Sequence, residues 1–297
     1  MKRTLVFLVS CVLVGSIGWG MYVFARAVFD IETYEDGVPT FPEDPSFVQK
    51  KVKDAIRTMR TDLGDWTPEA LDDIIRSAAR LSAVGDQVSF ISEQFLGTPY
   101  MGNTLTGDED GSEYLTVNLA GLDCFTYLDY VEAARQSGSY GAFVWSLLST
   151  RYKDGFLDFQ GRNHFFSDWV EYNHAQVSDV TGEVGGDAAV SVAKQLNQKK
   201  DGSVFLEGIP IVPRTITYIP TVALTDEVLQ RLRTGDYIGI YTDLDGLDVT
   251  HTGIFINNDR GIYLRHASSR EGVQQVLDDD FLTYLKDKPG IVVYRPQ

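Results

Sequence analysis

The sequence predicts an α+β fold in which helices come first along the chain and an antiparallel sheet follows. Apolar residues recur at helical spacing between residues 48 and 152, whereas β-branched and aromatic runs bounded by Gly, Asn and Asp occupy residues 236–295. The 297 residues are 43% hydrophobic, which is enough to form a large buried core. No linker clearly divides the body of the chain, so we expect a single domain over residues 46–297.

The first 27 residues predict export from the cytoplasm. Two positive charges precede an uncharged stretch from Thr4 to Ala25, and Ala25-Arg26-Ala27 has the small-x-small form of a cleavage site. The apolar stretch also has roughly the 20 residues that a spanning helix needs, so a cleaved signal peptide and a retained membrane anchor both remain open. Residues 28–45 are acidic and contain three prolines, which is typical of a tether.

Five helices are predicted ahead of the sheet. The second has the clearest boundary, with Thr67 as N-cap and Pro68 as the first helical residue. The fourth begins near Cys124 and has Gly138 as its C-terminal stop. The five segments span residues 48–59, 67–81, 86–96, 123–137 and 140–152.

The second half of the chain predicts strands joined as an antiparallel meander. The strand-like runs are residues 236–241, 250–256, 262–267 and 290–295. Between the helices and these strands, residues 176–220 are rich in Gly, Ser and Thr and contain several prolines. We interpret this segment as long and loop-bearing, as part of an insertion at about residues 155–220.

Charge and cysteine content exclude several classes of function. The chain has 26 Lys and Arg against 42 Asp and Glu, a formal net charge of −16, which repels phosphate backbones and argues against a nucleic-acid partner. Two cysteines are too few for a disulfide framework or a multi-cysteine zinc site. Neither a phosphate-binding glycine motif nor a His-Glu-x-x-His helix is present, so we expect no cofactor and no metal.

Cys124 is a candidate nucleophile. Once the leader is set aside it is the sole remaining thiol, and an unpaired cysteine in an oxidising compartment usually has a task. It stands at the first turn of a predicted helix, where the positive end of the helix dipole lowers a thiol pKa. The alternative is a buried, inert cysteine.

His251 and His266 are candidates for a general base and its orienting group. They flank a predicted turn at residues 257–260. A hairpin closed by an Asn258-Asp259 loop pairs the two histidines directly, with Cβ atoms roughly 4.5–5.5 Å apart. Such contact is what a general-base histidine and its orienting group require. A bulge at Gly261 is the alternative, and it would shift the register and spoil the pairing.

Four motifs in order resemble the NlpC/P60 cysteine hydrolases, which are papain-like enzymes of the cell wall. They are Phe95-Leu96-Gly97-Thr98-Pro99-Tyr100, Leu122-Asp123-Cys124, Thr250-His251-Thr252-Gly253-Ile254 and Leu264-Arg265-His266-Ala267. Further segments at 151–155, 161–169, 234–236 and 246–249 are similar to one branch, the N-acetylmuramoyl-L-alanine amidase-like family, also called domain of unknown function 1460. The resemblance covers residues 85–295.

The resemblance implies a papain-like fold and a Cys–His–His triad. Cys124 would attack an amide carbonyl, His251 would take its proton, and His266 would orient His251. Tyr100 and Asp123 match positions near the nucleophile that contact substrate, although Asp123 is equally an N-cap. At Phe125-Thr126 the chain departs from the usual Ser-Gly, so the endopeptidase specificity of those relatives does not transfer directly.

The implied substrate is peptidoglycan or a muropeptide, cut between N-acetylmuramic acid and L-alanine. Cleavage within the stem peptide and an inactive wall-binding module are the alternatives. Arg162 and His164 form a second candidate substrate-binding segment, with Arg162 meeting a carboxylate; the alternative is a loop held by its own aromatic residues. We expect a monomer that is exported and is either periplasmic or anchored in the membrane facing the cell wall.

Overall fold

A computed structural model describes residues 34–35, 38–39, 55, 57–105 and 112–297. The predicted leader at 1–27 lies outside the described residues, as do most of the tether at 28–45 and most of the first predicted helix at 48–59. Strands β1 (Tyr34–Glu35) and β2 (Val38–Pro39) pair within the tether. In the described part of the chain, we find no helix with the length and apolar character needed to cross a membrane.

The first well-bounded helix begins as its sequence predicts. Helix α1 (Pro68–Ala78) has Thr67 as its N-cap, whose hydroxyl accepts a hydrogen bond from the Ala70 N–H at 3.2 Å. Helix α2 (Val84–Glu93) follows and ends slightly earlier than expected. Strands β3 (Arg60–Asp62) and β4 (Thr116–Asn118) form a small parallel pair beside these helices.

Two central helices form the main core against the sheet. They are α3 (Cys124–Arg135) and α4 (Tyr140–Arg151), and both are confirmed by the structure. Their buried charges are paired, since Arg151 Nε donates to Asp129 Oδ2 at 2.7 Å. Helix α5 (Phe166–Tyr172) follows, and the indole of Trp169 also donates to Asp129, at 3.0 Å. These pairs hold α3, which carries Cys124, in a fixed position.

The remaining elements build an eight-stranded antiparallel sheet, which confirms the mixed helix-and-sheet prediction. Its strand order is β11-β10-β9-β8-β12-β7-β6, with β5 paired beside β12. The strands are β5 (Val177–Asp179), β6 (Val190–Leu196), β7 (Val212–Pro220), β8 (Tyr237–Tyr241), β9 (Val249–Asn258), β10 (Gly261–Ser268), β11 (Gln275–Asp280) and β12 (Gly290–Pro296). The short helices among them are α6 (Thr181–Gly185), α7 (Asp226–Leu229) and α8 (Phe281–Leu285).

Residues 176–220, interpreted from the sequence as a loop-bearing insertion, contain strands that the sequence analysis missed. This segment supplies β5, β6 and β7, and β7 joins the main sheet by pairing with β12. Strand β7 alternates polar and apolar residues only over 215–218, a short pattern that the Gly, Ser and Thr content of the segment obscured. Its prolines, Pro213 and Pro220, stand near the strand ends, where a missing N–H interrupts few ladder hydrogen bonds.

The two faces of the sheet are covered differently. One face packs against α3 and α4 through residues such as Ile254 and Val292. The other face packs against α8 and its neighbours through residues such as Phe255 and Leu264. Successive residues of β9 therefore point alternately towards α3 and towards α8.

Candidate active site

His251 and His266 are joined by a hydrogen bond in the structure. His251 Nε2 lies 2.7 Å from His266 Nδ1, and the two rings are perpendicular with centroids 4.8 Å apart. The predicted contact between the two imidazoles therefore forms. Both rings also pack against Tyr284 of α8, at 6.1 Å from His251 and 4.9 Å from His266.

The predicted register of the hairpin was wrong, although the predicted contact between the two histidines is present. The ladder pairs Gly261 with Asn258, so the two-residue loop is Asp259-Arg260 and not Asn258-Asp259. Gly261, at φ 139°, starts the returning strand. The resulting shift is two residues, which keeps every side chain on its own face. His251 and His266 are therefore diagonal neighbours, close enough for two large rings to meet.

A β-bulge lies directly before His251. In the β8–β9 ladder Ile240 pairs with His251, but Tyr241 pairs with Val249, which leaves Thr250 as the extra residue. Bulges bend a strand and redirect the adjacent side chains, and they are common beside active sites. The local geometry thus sets the direction of the His251 side chain at the end of the strand.

Asp279 is a site residue that the sequence analysis missed. Its Oδ2 lies 3.1 Å from His266 Nε2, so the carboxylate accepts a hydrogen bond from the imidazole. The other carboxylate oxygen accepts from Arg270 at 3.3 Å. The sequence did contain a signal for it, the run Asp278-Asp279-Asp280 that ends β11. Antiparallel pairing of β11 with β10 places Asp279 on the same face of the sheet as His266.

Burial keeps the histidines uncharged. Burial, then the neighbouring His266 and Lys288, lower the pKa of His251 to about 3. Burial also lowers the pKa of His266, against the opposing effect of Asp279. Both imidazoles are therefore neutral at pH 7, and a neutral imidazole can accept a proton.

Cys124 lies at the first position of α3, as predicted. Asp123 caps the helix by accepting hydrogen bonds from the N–H groups of Phe125, at 3.0 Å, and Thr126, at 2.7 Å. The hydroxyl of Thr252 donates to the Cys124 carbonyl oxygen at 2.8 Å, which ties the cysteine to the residue that follows His251. Within the described part of the chain, no hydrogen bond joins Cys124 to His251 or His266.

The expected lowering of the thiol pKa was wrong. Burial, and next the negative charge of Asp123, raise the pKa of Cys124 to about 11, outweighing hydrogen bonds from Thr252 that lower it. The physical reason is that Asp123 already occupies the N–H groups at the helix start, so its carboxylate offsets the positive end of the helix dipole. The resting site therefore holds a neutral thiol beside neutral imidazoles.

Tyr100 lies where the resemblance implies, close to Cys124 and Asp123. Burial, then the charges of Cys124 and Asp123, raise the pKa of the Tyr100 hydroxyl. The backbone of this segment connects two parts of the site, because Tyr100 N–H donates to the Gln274 carbonyl and Met101 N–H donates to the Leu122 carbonyl, both at 2.9 Å. It therefore ties the start of α3 to the start of β11, the strand that carries Asp279.

A cavity of about 480 Å³ opens beside the two histidines. Two cations, two carboxylates and several hydroxyl groups surround it, which suits a polar ligand. Burial, then the charges of Cys124 and Asp279, raise the pKa of Tyr284 to about 12. The cavity is lined by Thr250, His251, His266, Ser268, Ser269, Arg270, Asp279, Asp280, Thr283, Tyr284 and Lys288.

Arg162 and His164 have other partners. Both carboxylate oxygens of Glu113 accept hydrogen bonds from Arg162, at 2.5 and 2.7 Å, and Tyr152 donates to the same carboxylate. His164 Nε2 lies 2.7 Å from the Phe159 carbonyl oxygen, and burial lowers its pKa to about 4. No described contact joins either residue to the imidazole pair. Arg162 is paired with Glu113, outside this loop, whereas His164 packs against Phe159 within it.

The described residues contain no group of three or more His, Cys, Asp or Glu side chains placed to hold a metal ion. The acids at Asp243, Asp245 and Asp248 have a calcium-like spacing in the sequence, but Asp248 is buried and accepts from the Ser167 N–H at 2.7 Å. The Asp248 carboxylate therefore has a structural role.

The fold and this site define a class: α+β proteins with a cysteine at a helix start and a hydrogen-bonded pair of histidines on two adjacent strands. Residues 90–291 match the family model described as N-acetylmuramoyl-L-alanine amidase-like. The chain belongs to that family, which confirms the resemblance found in the sequence. No curated protein is significantly similar to the chain.

Several solved structures are similar to this chain. An N-acetylmuramoyl-L-alanine amidase from Bacteroides uniformis is 27% identical, with 72% of this chain and 99% of that one covered and a TM-score of 0.62. A Legionella pneumophila protein of the domain of unknown function 1460 family shares the fold, at 21% identity, 77% and 94% coverage and a TM-score of 0.66. A Bacteroides fragilis protein proposed to be a xylanase is 29% identical, with 69% and 99% covered and a TM-score of 0.58.

Proposed function

We propose that this chain is a cysteine amidase of the bacterial cell wall, which hydrolyses the amide between N-acetylmuramic acid and L-alanine. Family membership and the amidase-like neighbours support a cell-wall amidase in general. The single observation that carries the cysteine mechanism is the contact between α3 and β9. There the hydroxyl of Thr252, the residue after His251, donates to the Cys124 carbonyl oxygen. We further propose that the fold is a papain-like arrangement of nucleophile helix and sheet.

The proposed reaction begins with transfer of the Cys124 proton. His251 accepts the thiol proton as Sγ attacks the amide carbonyl carbon, and the carbonyl oxygen becomes an oxyanion. The N–H of Cys124 is a candidate donor to that oxyanion. Collapse of the intermediate breaks the C–N bond, the His251 imidazolium protonates the leaving amine, and a thioester remains on Cys124. Water then hydrolyses the thioester, releasing the carboxylate and restoring the thiol.

The resting protonation states support general-base catalysis over a preformed ion pair. A neutral thiol and a neutral imidazole, as the raised pKa of Cys124 and the lowered pKa of His251 imply, must exchange a proton during the attack. Hydrogen bonds between catalytic groups are often long in ligand-free proteins and tighten when substrate binds. Tyr100 and Asp123 lie near the sulfur and are the proposed substrate contacts on that side.

The proposed bond is tested by mass spectrometry of digested muropeptides. An amidase releases intact stem peptides and sugars with free lactyl carboxylates, whereas an endopeptidase shortens the peptides and leaves the muramyl amide uncut. Xylan serves as a comparison substrate. We expect no xylan hydrolysis, because Asp279 and Asp280, the carboxylates of the cavity, already accept hydrogen bonds from His266 and from the Thr283 N–H. Release of xylose oligomers without muropeptide cleavage would overturn the proposal.

The nucleophile is tested by comparing the wild type with Cys124→Ala. We expect the substitution to abolish turnover while leaving muropeptide binding largely intact, because the lost interaction belongs to the transition state. Equal behaviour of the two proteins on purified peptidoglycan would favour a wall-binding module without catalysis. We propose an extracytoplasmic location facing the wall, with the chain acting as a monomer.

A further inference from the structure

Asp279, His266 and His251 form a continuous chain of hydrogen bonds. Asp279 Oδ2 lies 3.1 Å from His266 Nε2, and His266 Nδ1 lies 2.7 Å from His251 Nε2. His266 is buried, with 1% of its surface exposed, so these two contacts are its available polar partners. These contacts leave few ways of placing protons on the ring nitrogens of the two histidines.

The carboxylate determines that distribution. An ionised carboxylate accepts hydrogen bonds and cannot donate them, so His266 must carry its proton on Nε2. In the neutral ring Nδ1 is then an acceptor, and the contact at 2.7 Å requires His251 to donate from Nε2. A neutral His251 protonated on Nε2 has its free lone pair on Nδ1.

Asp279 is itself held in place. Its second oxygen accepts a hydrogen bond from Arg270 at 3.3 Å, and the side chain is 20% exposed. Its backbone pairs with Leu264 in the β10–β11 ladder, two residues from His266 on the same face. Tyr284 packs against the edge of His266, with ring centroids 4.9 Å apart, and limits rotation of that imidazole.

We propose that Asp279 is a positioning residue, which fixes the tautomer of His266 and thereby leaves His251 Nδ1 as the proton acceptor. The inference rests on the proposed function for its catalytic meaning, but the tautomers are a property of the resting protein. Asp279 touches neither substrate nor the sulfur in this role. It acts through His266, as an orienting carboxylate acts on a general-base histidine in other hydrolases.

Nuclear magnetic resonance of the full chain, labelled with ¹⁵N at histidine, tests the tautomers directly. The chain has four histidines, so single substitutions assign each ring. We expect wild-type His266 and His251 to be protonated on Nε2. In Asp279→Asn the amide can donate to Nε2, so the Nδ1-protonated form of His266 becomes populated and that of His251 follows. Identical tautomers in the wild type and Asp279→Asn would overturn the proposal.

Two further variants separate positioning from general damage. Arg270→Gln removes the ion pair but keeps the carboxylate, so the wild-type tautomers should persist. Asp259→Asn, in the exposed hairpin loop, makes the same chemical change away from the site. Altered tautomers in Asp259→Asn would show that the shift in Asp279→Asn is not specific to the hydrogen-bond chain, and would count against the proposal.

Kinetics on muropeptides provide the second readout. We expect Asp279→Asn to lower kcat roughly 10²- to 10⁴-fold with KM changed by less than about twofold, by analogy with the orienting aspartate of a serine hydrolase triad. If the wild type does not hydrolyse muropeptides, the proposed function fails while the tautomer measurement still stands. If the wild type is active and Asp279→Asn retains full kcat, the positioning role fails while the function stands.

Discussion

Gly253 and His266 face each other across the β9–β10 hairpin with almost no space between them. A Cβ built on Gly253 would lie 3.0 Å from the Cβ of His266 and 2.8 Å from Leu264 Cδ1. The approach to Leu264 is closer than real Cβ atoms show, and the approach to His266 is tighter than most, so a side chain at residue 253 must displace its neighbours. The absence of a side chain at Gly253 is therefore what allows His266 to reach His251.

This relationship predicts the effect of Gly253→Ala. We expect the added methyl to push His266 away from His251, lowering kcat on muropeptides by roughly 10- to 100-fold because a misplaced orienting group weakens the general base. We also expect a loss of about 1–3 kcal/mol in the free energy of unfolding from overpacking. Gly182→Ala is the matched control, because nothing lies within 4 Å of its Cβ position. Wild-type kcat in Gly253→Ala would contradict this account.

The second prediction concerns the reactivity of Cys124. Because burial and Asp123 raise the pKa of its thiol to about 11, iodoacetamide should alkylate Cys124 more slowly at pH 7 than an ordinary thiol, with a rate that keeps rising towards pH 11. The measurement is the alkylation rate against pH by mass spectrometry. A rate that levels off below pH 8 would show instead that the thiol is activated.

Asp123→Asn should accelerate that alkylation. Asparagine still caps the helix but removes the negative charge, so the thiol pKa falls and the rate at pH 8 rises by roughly threefold to tenfold. Asp226→Asn, which removes a charge from the first turn of α7, is the control and should leave the rate at its wild-type value. An unchanged rate in Asp123→Asn would mean that burial alone sets the thiol pKa.

The third prediction concerns stability in acid. Burial lowers the pKa of His164 to about 4, so the unfolded chain binds a proton at this residue near pH 6.5 while the folded chain does not. The free energy of unfolding should therefore fall as the pH falls from about 6.5 to 4. His164→Gln should reduce that slope by up to about 1.4 kcal/mol per pH unit. The slope is measured by denaturant titrations at several pH values, with His174→Gln, at an exposed position, as the matched substitution.

The fourth prediction distinguishes structure from substrate binding at Arg162. Its guanidinium and the Glu113 carboxylate are 13% and 5% exposed, and breaking such a pair leaves one buried charge without its partner. We expect Arg162→Met to destabilise the protein by about 3 kcal/mol with little change in KM. The double variant Arg162→Met/Glu113→Leu should recover part of that loss. Arg260→Met, in the exposed hairpin loop, is the control; a large KM increase without destabilisation would restore Arg162 as a substrate contact.

Local sequence signals predicted the elements that carry the site. Thr67-Pro68 specified the start of α1, and Asp123-Cys124 specified the start of α3, because capping chemistry is local. The same signals failed at β6 and β7, where Pro and Gly among polar residues resembled loops. These strands pair with each other along their length, and β7 joins the main sheet through β12, a contact distant along the chain.

The sequence by itself determined the family, the α+β order of elements, and the choice of Cys124, His251 and His266 as candidate site residues, since these follow from motifs and local periodicity. Tertiary structure decided the hairpin register, the contact of Asp279 with His266 and the raised pKa of the Cys124 thiol. Each of these depends on which groups folding brings within a few ångströms and on how much water it removes around them. A local sequence pattern specifies neither hydrogen-bond partners nor burial, because both are set by segments that are distant in the chain.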